Sequence, residues 1–210
     1  MFVIFLTALA VAFSGAMMPG PLLTYTIRQS LNTGVYSGFI IIAGHAVLEI
    51  ILIALIFIGF DIILQSNAAQ ISIGIIGGLL LIYMGYEMIY SSLKNKVKIE
   101  LEENKSSTTN MLLSGIVISA ANPYFLLWWA IIGLGFLIQA YKSFGTSGVV
   151  VFFFGHILAD LIWYGLISII VGTTRKFIKE KLYRIIIAVL GCLLIFFGGS
   201  FFYKAIIVLV

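Results

Sequence analysis

Charge is scarce in this chain. Only 10% of its 210 residues are Asp, Glu, Lys or Arg, against 62% hydrophobic ones, and the mean hydropathy is +1.18. A soluble domain of this length cannot hide so much apolar surface, so lipid is its natural solvent. Cysteine is nearly absent: Cys192 alone excludes an internal disulfide and, mid-way along an apolar stretch, reads as a packing residue. No glycine-rich phosphate loop, nucleophile constellation or organic-cofactor motif is visible, so neither an enzyme nor a bound cofactor is expected. The net charge of +4 comes from basic residues that flank apolar stretches, which argues against nucleic acid as a partner.

What is abundant is long apolar sequence. Crossing the hydrocarbon core takes about 20 apolar residues of helix. Six stretches qualify, at 2–25, 36–60, 70–91, 111–139, 148–173 and 184–207. The expected fold is all-α, a polytopic membrane protein of six transmembrane helices forming a single domain over 1–210 in contact with the lipid bilayer. The first stretch does not read as a cleaved signal, because no Lys or Arg precedes it and Ser14-Gly15-Ala16 is a poor cleavage context. With six crossings, ten basic residues share one side: Arg28, Lys94, Lys96, Lys98, Lys105, Arg175, Lys176, Lys179, Lys181 and Arg184. Only Lys142 and Lys204 fall on the other. The positive-inside rule therefore predicts a cell-membrane protein with both termini outside the cytoplasm.

The chain also reads as two related halves. Residues 75–90 and 188–203 match without a gap at Gly78/Gly191, Leu80/Leu193, Leu81/Leu194, Ile82/Ile195, Gly85/Gly198 and Tyr90/Tyr203, an offset of 113. Gly44-His45-x-x-x-Glu49 recurs as Gly155-His156-x-x-x-Asp160 at an offset of 111, and Pro19 and Pro123 lie 104 apart. An odd number of spans per half turns the second half upside down, which is the inverted-repeat plan of many secondary transporters. Repeat 1 covers about 1–92, a charged cytoplasmic linker about 93–110, and repeat 2 about 111–210. The small-residue faces at Gly74, Gly78 and Gly85 and at Gly191 and Gly198 suit close helix packing, within the chain or in a homodimer.

The only three prolines, Pro19, Pro21 and Pro123, fall in the first and fourth stretches. Proline lacks an N–H and clashes with the carbonyl four residues back, so these two helices are expected to be broken and the carbonyls of Gly15, Met17 and Ser119 freed. Breaks survive in lipid only where protein or a water-filled cavity covers them. Freed carbonyls attract cations and half-helix N-termini attract carboxylates, a combination that suits a zwitterion. Asn122 adds an amide that can cap the second break or meet a substrate.

Both histidines of the chain stand one helical turn before a carboxylate, His45 before Glu49 and His156 before Asp160. Ionisable groups inside membrane helices are expensive and usually functional. Such pairs can pass a proton or hold an ammonium group; structural hydrogen bonds between helices would use the same residues. Two histidines and two carboxylates also resemble a four-ligand divalent metal site, a lesser alternative.

Pro19-Gly20-Pro21 closing the first span, a glycine-rich second span and the Asn122-Pro123 break resemble the LysE-type amino-acid exporters over essentially the whole chain. The resemblance implies export of amino acids from the cytoplasm with proton exchange, and functional positions at Pro19, Gly20, Pro21, Asn122 and Pro123. The histidines depart from the commonest exporters. The reading is a secondary transporter exporting amino acids or similar small zwitterions by proton antiport, with His45, Glu49, His156 and Asp160 at its centre. A divalent metal-cation exporter using the same four residues is the competing function.

Overall fold

A computed structural model describes residues 1–18, 20–94, 107–174 and 180–209, and every regular element among them is helical. Helix α1 (Phe2–Ala16) is followed by α2 (Pro21–Thr33), and α3 (Ser37–Leu55) runs through a π-helical turn, Ile56–Phe60, into the short α4 (Asp61–Gln65). Ser66 then caps α5 (Asn67–Leu93), its side chain accepting the Ala69 amide at 3.2 Å. The second half opens with α6 (Thr108–Ala120) and α7 (Pro123–Trp128). A second π-helical turn, Trp129–Gly133, leads into α8 (Leu134–Thr174), and α9 (Glu180–Leu209) closes the chain.

The chain is thus an all-helical, multi-pass membrane protein. Four helical segments are long and apolar enough to cross a bilayer, Ser37–Ile63, Asn67–Leu93, Pro123–Thr174 and Arg184–Ile207. Helices α1 and α2, bent by 81° against each other, make a fifth if the pair is one crossing. Six separate crossings are not distinguished among the described residues. The expected loop between the fourth and fifth stretches is helical on both sides of a backbone break at Phe144 (φ −145°, ψ 16°) and Gly145 (φ 59°, ψ −146°). Most of the linker, residues 95–106, lies outside the described residues, as do Pro19, Lys96, Lys98, Lys105, Arg175, Lys176 and Lys179.

Packing pairs elements from the two halves: α5 lies on α9, α1 on α8, and α3 on α6. Along the first contact Gly78 meets Gly198 and Gly85 meets Gly191, while Gly74 meets Ala205. The small-residue faces are therefore occupied within one chain, and a homodimer would need a different surface. Cys192, expected to pack internally, is exposed on α9.

Two apolar clusters hold the bundle. One gathers Ala8, Leu52, Ile53, Phe125, Trp128, Trp129, Leu137 and Phe152; the other gathers Leu22, Ile27, Leu31, Ile41, Ile42, Met111, Ile157 and Tyr164. On α3 the polar residues His45 and Glu49 fall between Ile42 and Leu52, and on α8 His156 and Asp160 lie between Phe152 and Tyr164. The polar centre sits at the junction of the two clusters.

Candidate functional site

Each half supplies one Gly-His-x-x-x-acid motif, and all three of its fixed residues have a role in position. The glycines let backbones touch. A Cβ on Gly155 would stand 2.6 Å from the Phe5 carbonyl oxygen of α1, and one on Gly44 would collide with the Leu112 carbonyl of α6. This close approach carries the next residue, histidine, and the acid one turn later into the interior.

The four ionisable side chains expected to act together do meet. Glu49 is fully buried at 0% exposure, and His45, His156 and Asp160 are buried around it. Within each motif His45 Nε2 is 3.4 Å from Glu49 Oε1, and His156 Nε2 is 3.6 Å from Asp160 Oδ2. Across the two halves His156 Nε2 reaches Glu49 Oε1 at 2.8 Å and His45 Nε2 stands 3.8 Å from Asp160 Oδ2. The site is therefore a single cluster of two imidazoles and two carboxylates.

Its halves are not equivalent. Glu49 Oε1 also accepts the Trp129 indole N–H at 3.3 Å, and His45 Nδ1 shares a 2.8 Å hydrogen bond with Ser119 Oγ. By contrast, Asp160 Oδ2 and His156 Nδ1 are buried with no hydrogen-bond partner, as is Glu49 Oε2. Buried polar atoms are nearly always hydrogen-bonded in folded proteins, so three such atoms in a single cluster single it out as a candidate site. His45, Glu49 and Asp160 present ligand-type atoms that all lie within 4.8 Å of one another, a donor set able to hold a metal ion.

The helix breaks border the same space. A cavity of about 50 Å³ is lined by the four ionisable residues together with Gly15 and Ala16 at the end of α1, Leu22 of α2, Ser119 and Asn122 at the second break, and Tyr124, Trp128 and Trp129. A smaller cavity of about 30 Å³ continues past Gly20 toward Leu81, Phe197 and Phe201, sharing Gly15, Leu22, Asn122, Tyr124 and Tyr164 with the first. Gly20 precedes α2 in extended backbone (φ −157°, ψ −176°), and Pro21 and Pro123 are the buried first residues of α2 and α7. Asn122 caps α7, its Oδ1 accepting the Tyr124 amide at 3.1 Å. Pro123 is packed against Gly77 of α5.

One expectation changes. The carbonyls of Gly15 and Ser119 are not free, because each accepts a backbone amide three residues on, from Met18 and Asn122 respectively, both at 3.1 Å. Each helix end tightens by one turn instead of leaving an acceptor bare. The polarity of the site thus comes from side chains more than from broken backbone. Sequence reasoning also missed Ser119 and Trp129 as partners, and Ser14, whose carbonyl and hydroxyl oxygens accept the Tyr124 hydroxyl and the Trp128 indole, each at 3.1 Å.

The family model for LysE type translocators matches residues 13–205. The chain belongs to that family. It is accordingly a transporter rather than an enzyme. This LysE type translocator is 24% identical over 203 residues to the "Putative amino acid efflux protein YcgF" of Bacillus subtilis (strain 168), an alignment covering 97% of each chain. It is 24% identical over 144 residues to the "Leucine efflux protein" of Enterobacter sp. (strain 638), covering 68% of each, and 23% identical over 201 residues to the "Chemotactic transduction protein ChpE" of Pseudomonas aeruginosa (strain ATCC 15692), covering 95% of this chain and 97% of the other. No solved structure matches the chain.

Proposed function

We propose that this translocator exports an amino acid or similar small zwitterion from the cytoplasm in exchange for protons, and that His45, Glu49, His156 and Asp160 form its binding and coupling centre. The observation that carries the reading is the shared cavity: one space touches both the ionisable cluster and the two helix breaks. Within a family whose relatives include proteins named for amino acid efflux, that arrangement offers something to each end of a zwitterion. Asp160, whose Oδ2 makes no hydrogen bond, suits an ammonium group. The start of α2 at Gly20 and Pro21, along the smaller cavity, suits a carboxylate. At about 50 Å³ the main cavity holds a few waters at most, so loading an amino acid requires the helices around the breaks to part.

The proposal includes two inverted three-helix repeats, with α1–α2 and α6–α7 as the broken members, and both termini outside the cytoplasm. The reciprocal contacts support it. Gly78, which matches Gly191 in sequence, packs on Gly198, while Gly85, which matches Gly198, packs on Gly191. A two-fold relation between halves produces such an exchange of partners. Counting six crossings then requires the Phe144–Gly145 break to separate two spans.

Vesicles reconstituted with the purified protein and loaded with labelled amino acids test the reading. Saturable efflux driven by an imposed proton gradient, absent from empty vesicles, is the expected result. A panel of all twenty amino acids showing no efflux above background would overturn it.

A further inference from the structure

We propose that the same cluster is a binding site for a divalent transition-metal ion of zinc's size, held by His45, Glu49 and Asp160 and oriented by His156 and Ser119. This goes beyond amino acid export and does not depend on it.

The first support is donor chemistry. Imidazole and carboxylate are the ligands that zinc-like ions take when thiolates are absent. On such an ion, bonds of about 2.0–2.2 Å in tetrahedral array keep ligand atoms roughly 3.3–3.6 Å apart. His45 Nε2 already stands 3.4 Å from Glu49 Oε1 and 3.8 Å from Asp160 Oδ2, and all three ligand atoms lie within 4.8 Å of one another. Small side-chain movements close the set.

The second support is the shell behind the ligands. A metal-bound histidine ordinarily engages its other ring nitrogen with a polar partner, which fixes the ring. Ser119 does this for His45 Nδ1 at 2.8 Å, leaving Nε2 aimed at the cluster. His156 Nε2 and the Trp129 indole do the equivalent for Glu49 by hydrogen-bonding Oε1. Glu49 Oε2 makes no hydrogen bond despite being buried, and Asp160 Oδ2 makes none either, meeting only the two imidazoles at 3.6 and 3.8 Å. Three protein ligands leave one position open, and the adjoining cavity of about 50 Å³ has room for a water or an exchanging ligand there.

The third support is charge. Two buried carboxylates need two positive charges nearby. One divalent ion supplies both.

Zinc chloride titrated into purified protein in detergent, in a Cys192→Ser background that removes the exposed thiol, tests the proposal. The expected result is saturable binding of one ion per chain. His45→Ala, Asp160→Asn and Glu49→Gln should each weaken binding at least tenfold. X-ray absorption at the zinc edge should report a shell of nitrogen and oxygen that includes imidazole. Absence of saturable binding to the Cys192→Ser protein, an absorption spectrum without imidazole, or unchanged affinity in the Glu49→Gln/Asp160→Asn double variant would overturn the proposal. The first two readouts need no variant of the cluster to fold. Zinc binding is measured without amino acid and efflux without zinc, so either reading can fail alone.

Discussion

His156 donates from Nε2 to Glu49 Oε1 across 2.8 Å, tying α8 to α3, and the same oxygen accepts the Trp129 indole N–H at 3.3 Å. Glu49 is thus the fixed member of the cluster, whereas Asp160 Oδ2 makes no hydrogen bond and faces His156 Nε2 and His45 Nε2 only at 3.6 and 3.8 Å.

That difference separates stability from transport at the two acids. Glu49→Ala leaves buried donors without an acceptor and should destabilise by about 3–5 kcal/mol, the usual consequence of removing one partner of a buried pair. Asp160→Asn removes no hydrogen bond to Oδ2 but loses the charge facing His156 Nε2 at 3.6 Å and His45 Nε2 at 3.8 Å. It should lower the unfolding temperature in detergent less than Glu49→Ala does, while lowering amino acid efflux by at least tenfold. Full efflux by Asp160→Asn in reconstituted vesicles would remove Asp160 from the coupling centre.

Ser119 predicts a positional effect. Ser119→Ala leaves His45 Nδ1 without its partner in a buried setting, at a cost of about 1–3 kcal/mol. Efflux should fall several-fold and its pH profile should shift, because the imidazole loses the bond that fixes its tautomer. Ser119→Thr, which keeps the hydroxyl, should restore the profile. An unaltered profile in Ser119→Ala would assign the bond to packing alone.

The crossing of α5 on α9 is set by glycine. A Cβ on Gly78 would sit 2.7 Å from the Gly198 carbonyl oxygen, and one on Gly198 would sit 2.6 Å from that of Gly78. Alanine at either position should overpack the crossing and lower stability by about 1–3 kcal/mol. Gly199, where a Cβ would meet nothing within 4 Å, is the internal comparison and should tolerate alanine. Equal unfolding temperatures for Gly198→Ala and Gly199→Ala would contradict this account.

Orientation can be tested at two exposed lysines, Lys94 at the end of α5 and Lys142 just before the Phe144–Gly145 break. In a Cys192→Ser background, a membrane-impermeant thiol reagent added to intact cells should label Lys142→Cys and spare Lys94→Cys until the membrane is opened. The reverse pattern would invert the proposed topology.

Much of this arrangement is legible in sequence because its signals are local. Proline marks the breaks after α1 and α6 wherever the chain goes next, and i,i+4 spacing puts each histidine beside its acid before any tertiary contact forms. The repeat then suggests that the two pairs converge. What escapes is relational. Ser119 meets a residue 74 positions away and Trp129 one 80 positions away, and neither carries a local sign of its partner. The break at Phe144 and Gly145 has no proline, so the predicted loop became a continuous helical run with a kink. Cys192 shows a further limit: in lipid, the inward and outward faces of a helix are both apolar, so hydropathy does not say which residues are packed.

The burial of Glu49 has a consequence for leakage. Two carboxylates stripped of water cannot be carried from one side of the membrane to the other without compensation, since an uncompensated charge in that setting is worth several kcal/mol. Under the proposed function, an empty carrier with a bare cluster would be held where it stands, and only one bearing protons or a cationic passenger would be free to turn. In the proposed exchange, the electrostatics of the cluster itself would suppress slippage.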